Sequence, residues 1–306
     1  MRNGFIQSLL DIAKENKNVE LLTGDLGFGV LKPFWEACPD QFLDIGIAEQ
    51  NMTSVAAGMA LEGKTVFTYS IGNFPTLRCL EQIRNDCAYH KANVKIVCVG
   101  GGFVYGSLGM SHHATEDIAV MRALPDVTVL CPGDIAEAEA ATKAIAQHKG
   151  TCYLRLGRGG EKRIHKELSD FKIGKAIPVK QGEKVAIFST GAIFEEIEGA
   201  CNELQKAGIS PTVYTFPTVK PIDIEAINKV ASTHEIIVTC EEHNICGGFG
   251  SAVAEVLAES PSKARLLRIG LNDIYSTVVG DQKYLRKQYG ISSEFIAQRI
   301  LKEVKE

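Results

Sequence analysis

The sequence predicts an α/β fold in which two domains, each built on a mainly parallel sheet, follow one another along the chain. Three observations lead there. Short apolar runs alternate with stretches of helical spacing through most of the length, the order that lays helices on the faces of a parallel sheet. A glycine-rich, charged passage interrupts this alternation near the middle. With 306 residues, 45% of them hydrophobic, the chain has apolar surface enough for a core in each half.

In chain order, a helical period over Gly4 to Lys14 precedes the apolar run Val19 to Leu22, which reads as a strand. Gln41 to Ile45 reads as the next, and it leads into a helix of small residues from Ala48 to Leu61. Thr65 to Tyr69 and Val94 to Val99 are rich in β-branched and aromatic residues and suit strands; a helix over Thr76 to His90 separates them. A helix from Glu116 to Leu124, a strand from Val127 to Leu130, a helix from Ile135 to Gln147 and a strand from Cys152 to Leu154 complete the first unit. From Gly157 to Gly182 the apolar period is lost, most plainly in Arg158-Gly159-Gly160-Glu161-Lys162-Arg163. This places a first domain over 1–165, a linker over 166–182 and a second, smaller domain over 183–306. The second unit repeats the alternation, with strands at Val185 to Ser189, Thr212 to Thr215, Glu235 to Thr239 and Ala264 to Ile269. Its helices are expected at Ile193 to Lys206, Ile222 to Val230, Gly250 to Ala258 and Ser292 to Val304.

Composition narrows the function classes. A formal charge of −4 argues against a nucleic-acid binder. No stretch approaches the roughly 18 apolar residues of a membrane span, and Met1-Arg2-Asn3-Gly4-Phe5 lacks the apolar core of a signal peptide, so a cytoplasmic protein is expected. Nine cysteines form no C-x-x-C pair and several sit in strand-like runs such as Val97-Cys98-Val99, which reads as reduced core thiols without a metal site. Gly247-Gly248-Phe249-Gly250 lacks the third glycine of a dinucleotide loop, and no such cofactor is expected there.

Gly46-Ile47-Ala48-Glu49-Gln50-Asn51 carries the strongest chemical signal. It sets one carboxylate, Glu49, at the opening of a helix whose small residues let a backbone or flat ligand lie close. The residues alone leave two readings: an acid that complements the helix dipole, or one that meets a ligand.

This segment resembles the cofactor-activating motif of the transketolase and deoxyxylulose-phosphate synthase family of thiamin diphosphate enzymes. The likeness runs nearly end to end over that family's pyrimidine-binding and carboxy-terminal domains, and implies that fold for this chain. It implies that Glu49 hydrogen-bonds the aminopyrimidine nitrogen and favours the imino form that takes the thiazolium proton, while the cofactor carries the carbanion chemistry. Tyr69-Ser70-Ile71-Gly72-Asn73-Phe74, followed by Glu81-Gln82-Ile83-Arg84-Asn85, resembles the turn where an aromatic ring stacks on the pyrimidine. Phe74 falls at that place; a second aromatic usual three residues earlier is Ile71 here. Gly106-Ser107-Leu108-Gly109-Met110-Ser111-His112-His113 resembles the glycine-rich segment that ends in the active-site histidine. His112 matches it, an imidazole suited to proton traffic near neutral pH, and His113 is left to bond a substrate hydroxyl or face solvent. Asp25 matches an aspartate near the thiazolium side, although Asp-Leu-Gly also reads as an ordinary turn.

Arg158 falls at a phosphate-binding arginine of the family and Arg2 near another. Departures from the pattern concern the substrate. Leu108 replaces an aspartate that reads a substrate hydroxyl, and Gly29 and Gly100 stand where a supporting serine and histidine would be, which points to a specialised sugar. No residues match the family's diphosphate- and Mg2+-binding half. The resemblance therefore implies the β subunit of a split transketolase, assembled as α2β2 with an N-terminal α-type chain that holds Mg2+ and the diphosphate. It would transfer a two-carbon ketol unit from a ketose to an aldehyde acceptor. The alternatives are the β subunit of a thiamin-dependent 2-oxo acid decarboxylating enzyme, and a cofactor-free interaction protein on the same fold.

Overall fold

The computed structural model describes residues 1–305. Helix α1 (Arg2–Glu15) leads into β1 (Val19–Thr23), α2 (Phe28–Ala37), β2 (Phe42–Asp44), α3 (Glu49–Leu61) and β3 (Thr65–Ile71). A short α4 (Leu80–Gln82) runs on as a π-helical stretch (Ile83–Ala88) before β4 (Val94–Val99), α5 (Asp117–Ala123), β5 (Val127–Leu130), α6 (Ile135–Gln147) and β6 (Thr151–Leu156). The second half holds β7 (Ile177–Lys180), β8 (Val185–Ser189), α7 (Phe194–Lys206), β9 (Thr212–Thr215), β10 (Thr218–Lys220), α8 (Ile224–Ala231), β11 (Ile236–Asn244), α9 (Phe249–Ala258), β12 (Arg265–Leu271), α10 (Gln282–Gln288) and α11 (Ser293–Lys305).

Two sheets result. The first has the order β10-β5-β6-β4-β3-β1-β2 and the second β12-β11-β8-β9-β7. All neighbours pair in parallel except β10 on β5 and β7 on β9. Strands buried on both faces explain the continuous apolar runs that located them. One face of the first sheet is covered by α1, α2 and α6, with Phe5, Phe34 and Ile145 in the core. On the other face the core is continuous with the second domain: Met52, Ile83 and Ile118 share a cluster with Phe188, Phe216 and Phe249. The far face of the second sheet packs on α7 and α11.

Several expectations are corrected. Residues 177–180, read as linker, form an edge strand whose Pro178 hides the strand signal. Thr218–Lys220, flanked by Pro217 and Pro221, looks like a turn in sequence yet returns to the first sheet as β10. The single helix expected over Thr76 to His90 is a 3-10 turn (Leu77–Cys79), α4 and the π-helical stretch. Two helices have no counterpart in the expectations: α2, whose Gly29 and Pro33 disguise it, and the one-sided α10. All nine cysteines are free and eight are buried, but Cys246 is exposed. Among the described residues no helix is long and apolar enough to cross a membrane.

Glu241, on β11, fixes the start of α9. Its Oε2 accepts from Phe249 N and its Oε1 from Gly250 N, both at 2.7 Å. Burial pushes its carboxyl up from 4.5 to about 7, against those two N–H groups and the charges of Arg155 and Arg122. Folding therefore holds a proton that the unfolded chain releases. The resulting stability is complete below about 4.5 and is lost as pH rises through about 7. Urea midpoints followed across this interval should fall more steeply for the native chain than for Glu241→Gln; parallel curves would contradict the assignment.

Candidate active site

The C-terminal ends of β1, β3 and β4 form the edge on which ligands settle in parallel sheets. Three segments converge there: the β2–α3 turn with Glu49, the turn after β3 with Phe74, and the long loop after β4 with His112.

Glu49 is the first residue of α3 and only 3% exposed. Its Oε2 accepts a 2.7 Å hydrogen bond from Arg78 Nη1, which leaves Oε1 for another group. The Arg78 guanidinium also covers the Phe74 ring, 4.6 Å from its centroid. Phe74 in turn meets His112 edge-on at 5.2 Å between ring centroids. A carboxylate, a cation, an aromatic ring and an imidazole thus form one continuous row. Backbone economy allows it: at Gly72, with φ +44°, a Cβ would press to 3.4 Å from the His112 carbonyl oxygen. At Gly24 a Cβ would stand 3.1 Å from Gly46 O and 3.7 Å from Glu49 Cγ. His112 Nδ1 lies 3.0 Å from Ser111 Oγ, so its Nε2 is the nitrogen left for a ligand.

The remaining expected residues are spread around this row. Asp25 is exposed at the end of β1 in a left-handed conformation, φ +53°, uncommon for a residue with a side chain. Asp44 Oδ1 fixes its turn by accepting from Asp25 N at 2.8 Å and Gly46 N at 2.9 Å. His113 does not face solvent. It is buried, with Nε2 3.3 Å from Gly106 O, its ring edge-on to Phe103, and Nδ1 without a partner. Burial lowers its readiness to take a proton.

Arg158 is exposed, with its guanidinium 5.6 Å from the Tyr105 ring centroid. Arg2, at the start of α1, lies beside the Tyr105 hydroxyl and has a buried Nε without a partner. The Tyr105 ring occupies the space a side chain at Gly100 would need. Two cations and a phenol therefore stand together where a supporting histidine was expected to be missing. Burial raises the Tyr105 phenol, and the two arginines oppose that.

Arg78 and Tyr105 escaped the sequence reading. Arg78 reaches Glu49 across 29 residues and Tyr105, in the loop after β4, meets Arg2 at the start of α1, so no local spacing announces either contact. The Pro75-Thr76-Leu77-Arg78 run directly after Phe74 was the available signal for Arg78. Among the described residues no group of three or more His, Cys, Asp or Glu is arranged to hold a metal ion.

Arg78→Met would leave the buried Glu49 carboxylate unpaired. Because Arg78 is itself half in water, the expected loss of stability is about 1 kcal/mol, read from denaturant unfolding of the chain. The loss should largely vanish when Glu49→Gln is added; a persisting loss would mean the pair does not carry it.

Comparison with known proteins adds an independent line. Residues 1–160 match the family described as transketolase, pyrimidine binding domain, and residues 174–296 that described as transketolase, C-terminal domain. The chain is 40% identical over 308 residues to a putative transketolase C-terminal section of Methanocaldococcus jannaschii, covering 100% of this chain and 96% of that protein. It is 35% identical over 307 residues to one of the subunits of an apulose-4-phosphate transketolase from Phocaeicola vulgatus, covering 99% and 97%. A solved structure titled as a split gene transketolase, inactive beta4 tetramer, superposes with a TM-score of 0.90 at 34% identity, covering 98% and 97% of the two chains.

Proposed function

The chain belongs to the transketolase family, and from that premise we propose that it is the β-type subunit of a two-chain enzyme that transfers a two-carbon ketol unit from a ketose to an aldehyde acceptor. The observation that carries this reading is the row Glu49, Arg78, Phe74 and His112, four groups with complementary chemistry converging on the ligand edge of a sheet. Full-length similarity to relatives that are themselves one subunit or one section of a transketolase supports the two-chain form.

A buried acid beside an aromatic face, in surroundings kept open by Gly24 and Gly72, suits a flat nitrogen-containing ring such as the aminopyrimidine of thiamin diphosphate. When bound, that cofactor supplies the carbanion chemistry the protein lacks. Glu49 Oε1 would share a proton with the ring nitrogen, Phe74 would stack on the ring, and Asp25 would stand by its other end. His112 Nε2 would hydrogen-bond and shuttle the proton of the substrate hydroxyl. Arg2, Tyr105 and Arg158 form an anion-binding trio for the distal group of the substrate. Leu108 and Met110, both exposed beside His112, make that lip apolar and favour a substrate with no hydroxyl to satisfy there.

This chain offers half of a site. Ile47, Leu77, Leu108 and Met110, all large and apolar, are exposed on the segments that carry the row, and Phe28 is exposed at the start of α2. An apolar rim around a polar centre marks a surface meant to be covered. We assign the cover to an α-type chain that holds Mg2+ and the diphosphate, in an α2β2 assembly.

Calorimetric titration of thiamin diphosphate with Mg2+ should show binding to the two-chain mixture and not to this chain alone. Equal binding by the isolated chain would refute the division of labour. In the reconstituted enzyme, Glu49→Gln should retain folding and lose roughly 100-fold or more in kcat, because an amide cannot share the proton. Undiminished turnover would remove Glu49 from the mechanism.

A further inference from the structure

The loop that carries His112 is held from the other domain. Its neck is closed by Gly102 and Ala114, which exchange backbone hydrogen bonds of 2.8 and 3.0 Å. Directly beneath the neck lies the buried carboxylate of Glu242, at the end of β11. Glu242 Oε1 accepts from Phe103 N at 2.6 Å, and it reaches that N–H because Gly102, with φ +67°, has no side chain: a Cβ there would stand 2.6 Å from the same oxygen. Glu242 is itself fixed by its own domain. Arg286 Nε donates to its Oε2 at 2.7 Å, and Gln282 Nε2 lies 3.0 Å from each of its oxygens. Arg286, also buried, is anchored in turn by Ala192 O at 2.7 Å and Glu196 Oε1 at 3.5 Å.

The rest of the loop rests on the same platform. A Cβ at Gly106 would stand 2.6 Å from Gly280 O, and one at Gly109 would stand 3.5 Å from Val279 Cγ1. Phe103 packs on Tyr289 at 5.4 Å and on His113 at 5.0 Å. The loop thus lies on α10 and the segment before it, and two charge-assisted hydrogen bonds hold its neck, Phe103 N to Glu242 from the second domain and Arg155 Nη2 to Ala114 O from β6.

We propose that Glu242, locked by Arg286 and Gln282, is a positioning residue for turnover: the second domain sets the place of His112 without touching substrate. The proposal rests on the reading of His112 given above. Its energetic basis is that a shift of about 1 Å at a reacting group costs on the order of 100-fold in rate. An acid that holds the neck by one N–H controls a shift of that size.

The test uses the reconstituted two-chain enzyme with Gln282→Ala and Arg286→Lys, which keep the Glu242 charge and leave Arg286 or its replacement cationic, beside Glu242→Gln. Each variant should lower kcat by roughly 10- to 100-fold, with thiamin diphosphate affinity unchanged for the two milder variants and the global unfolding midpoint unchanged for Gln282→Ala. Hydrogen exchange should quicken selectively over residues 102–113, with β8 and β11 as protected as before. The loss should fall on kcat and leave the KM for the ketose largely unchanged. Should Glu242→Gln fail to fold, the milder pair decides. Full kcat in both, alongside an inactive His112→Ala, would overturn the proposal alone. Loss of cofactor affinity in parallel with kcat would also overturn it, because the clamp would then be general scaffolding. Full turnover by His112→Ala would instead overturn the reading of His112, and with it the catalytic role of the clamp, whatever the exchange data show.

Discussion

The guanidinium of Arg155 lies almost wholly out of water at the end of β6, where separate parts of the chain meet it. Its Nε donates to Asp117 Oδ2 at 2.7 Å, and its Nη2 donates to Ala114 O at 2.8 Å and Glu242 O at 3.1 Å. Gly101 and Gly191 let their backbones approach; a Cβ on Gly101 would be 2.6 Å from the guanidinium carbon. Burial works against the charge, but Asp117, helped by Cys131 and Tyr153, more than offsets it and raises the affinity of Arg155 for its proton. Removing one member of such a buried pair costs about 3–5 kcal/mol, far more than an exposed pair is worth. The start of α5, the end of the His112 loop and β11 of the second domain are therefore fixed relative to one sheet by one cation.

That constraint explains why the two domains share a core. A linker reading of residues 166–182 treats the halves as separate bodies joined by a tether. The chain instead returns β10 to the first sheet and runs one apolar cluster from α3 through α5 to α9. His165 adds a latch at the start of the passage. Its Nε2 lies 3.0 Å from Glu137 Oε1, and although burial lowers its hold on a proton, Glu137 and Asp134 together more than reverse that. The second domain is thus placed where Glu242 can reach the loop of the first.

How much of this was legible follows from the range of each interaction. Ten strands and most helices were readable because burial imposes local periodicity, and their ends moved by only a residue or two in most cases. The short β7 and β10 were unreadable because prolines within or beside them carry the turn signal more strongly than three or four residues carry a strand signal. Glu49, Phe74 and His112 were legible as candidates because each sits in a short segment with its own character: an acid before a small-residue helix, an aromatic after a strand, a histidine after a glycine-rich loop. Arg78, Tyr105, Glu242 and Arg286 were not, because each acts through a partner far along the chain. Sequence spacing encodes neighbours on one helix or strand, and these contacts join different ones.

On the proposed function, the pairing of Glu49 with Arg78 gives a physical account of how half a site can wait for its other half. A buried carboxylate needs a partner whether or not a ligand is present, since burial strips it of the water that would otherwise solvate its charge. Arg78 provides that partner from the rim, where its other side remains in water and its plane lies over Phe74. Because Arg78 takes one carboxylate oxygen only, a ring nitrogen can take the other without first breaking the pair. Its guanidinium, by contrast, covers a face of Phe74, so a ring that stacks there must either displace it or use the opposite face. On the proposed function, entry by the opposite face leaves Arg78 on Glu49, while entry by the covered face exchanges one flat group for another over the same ring. In both cases Glu49 Oε1 is open to the arriving nitrogen, and the sheet that holds the acid need not rearrange.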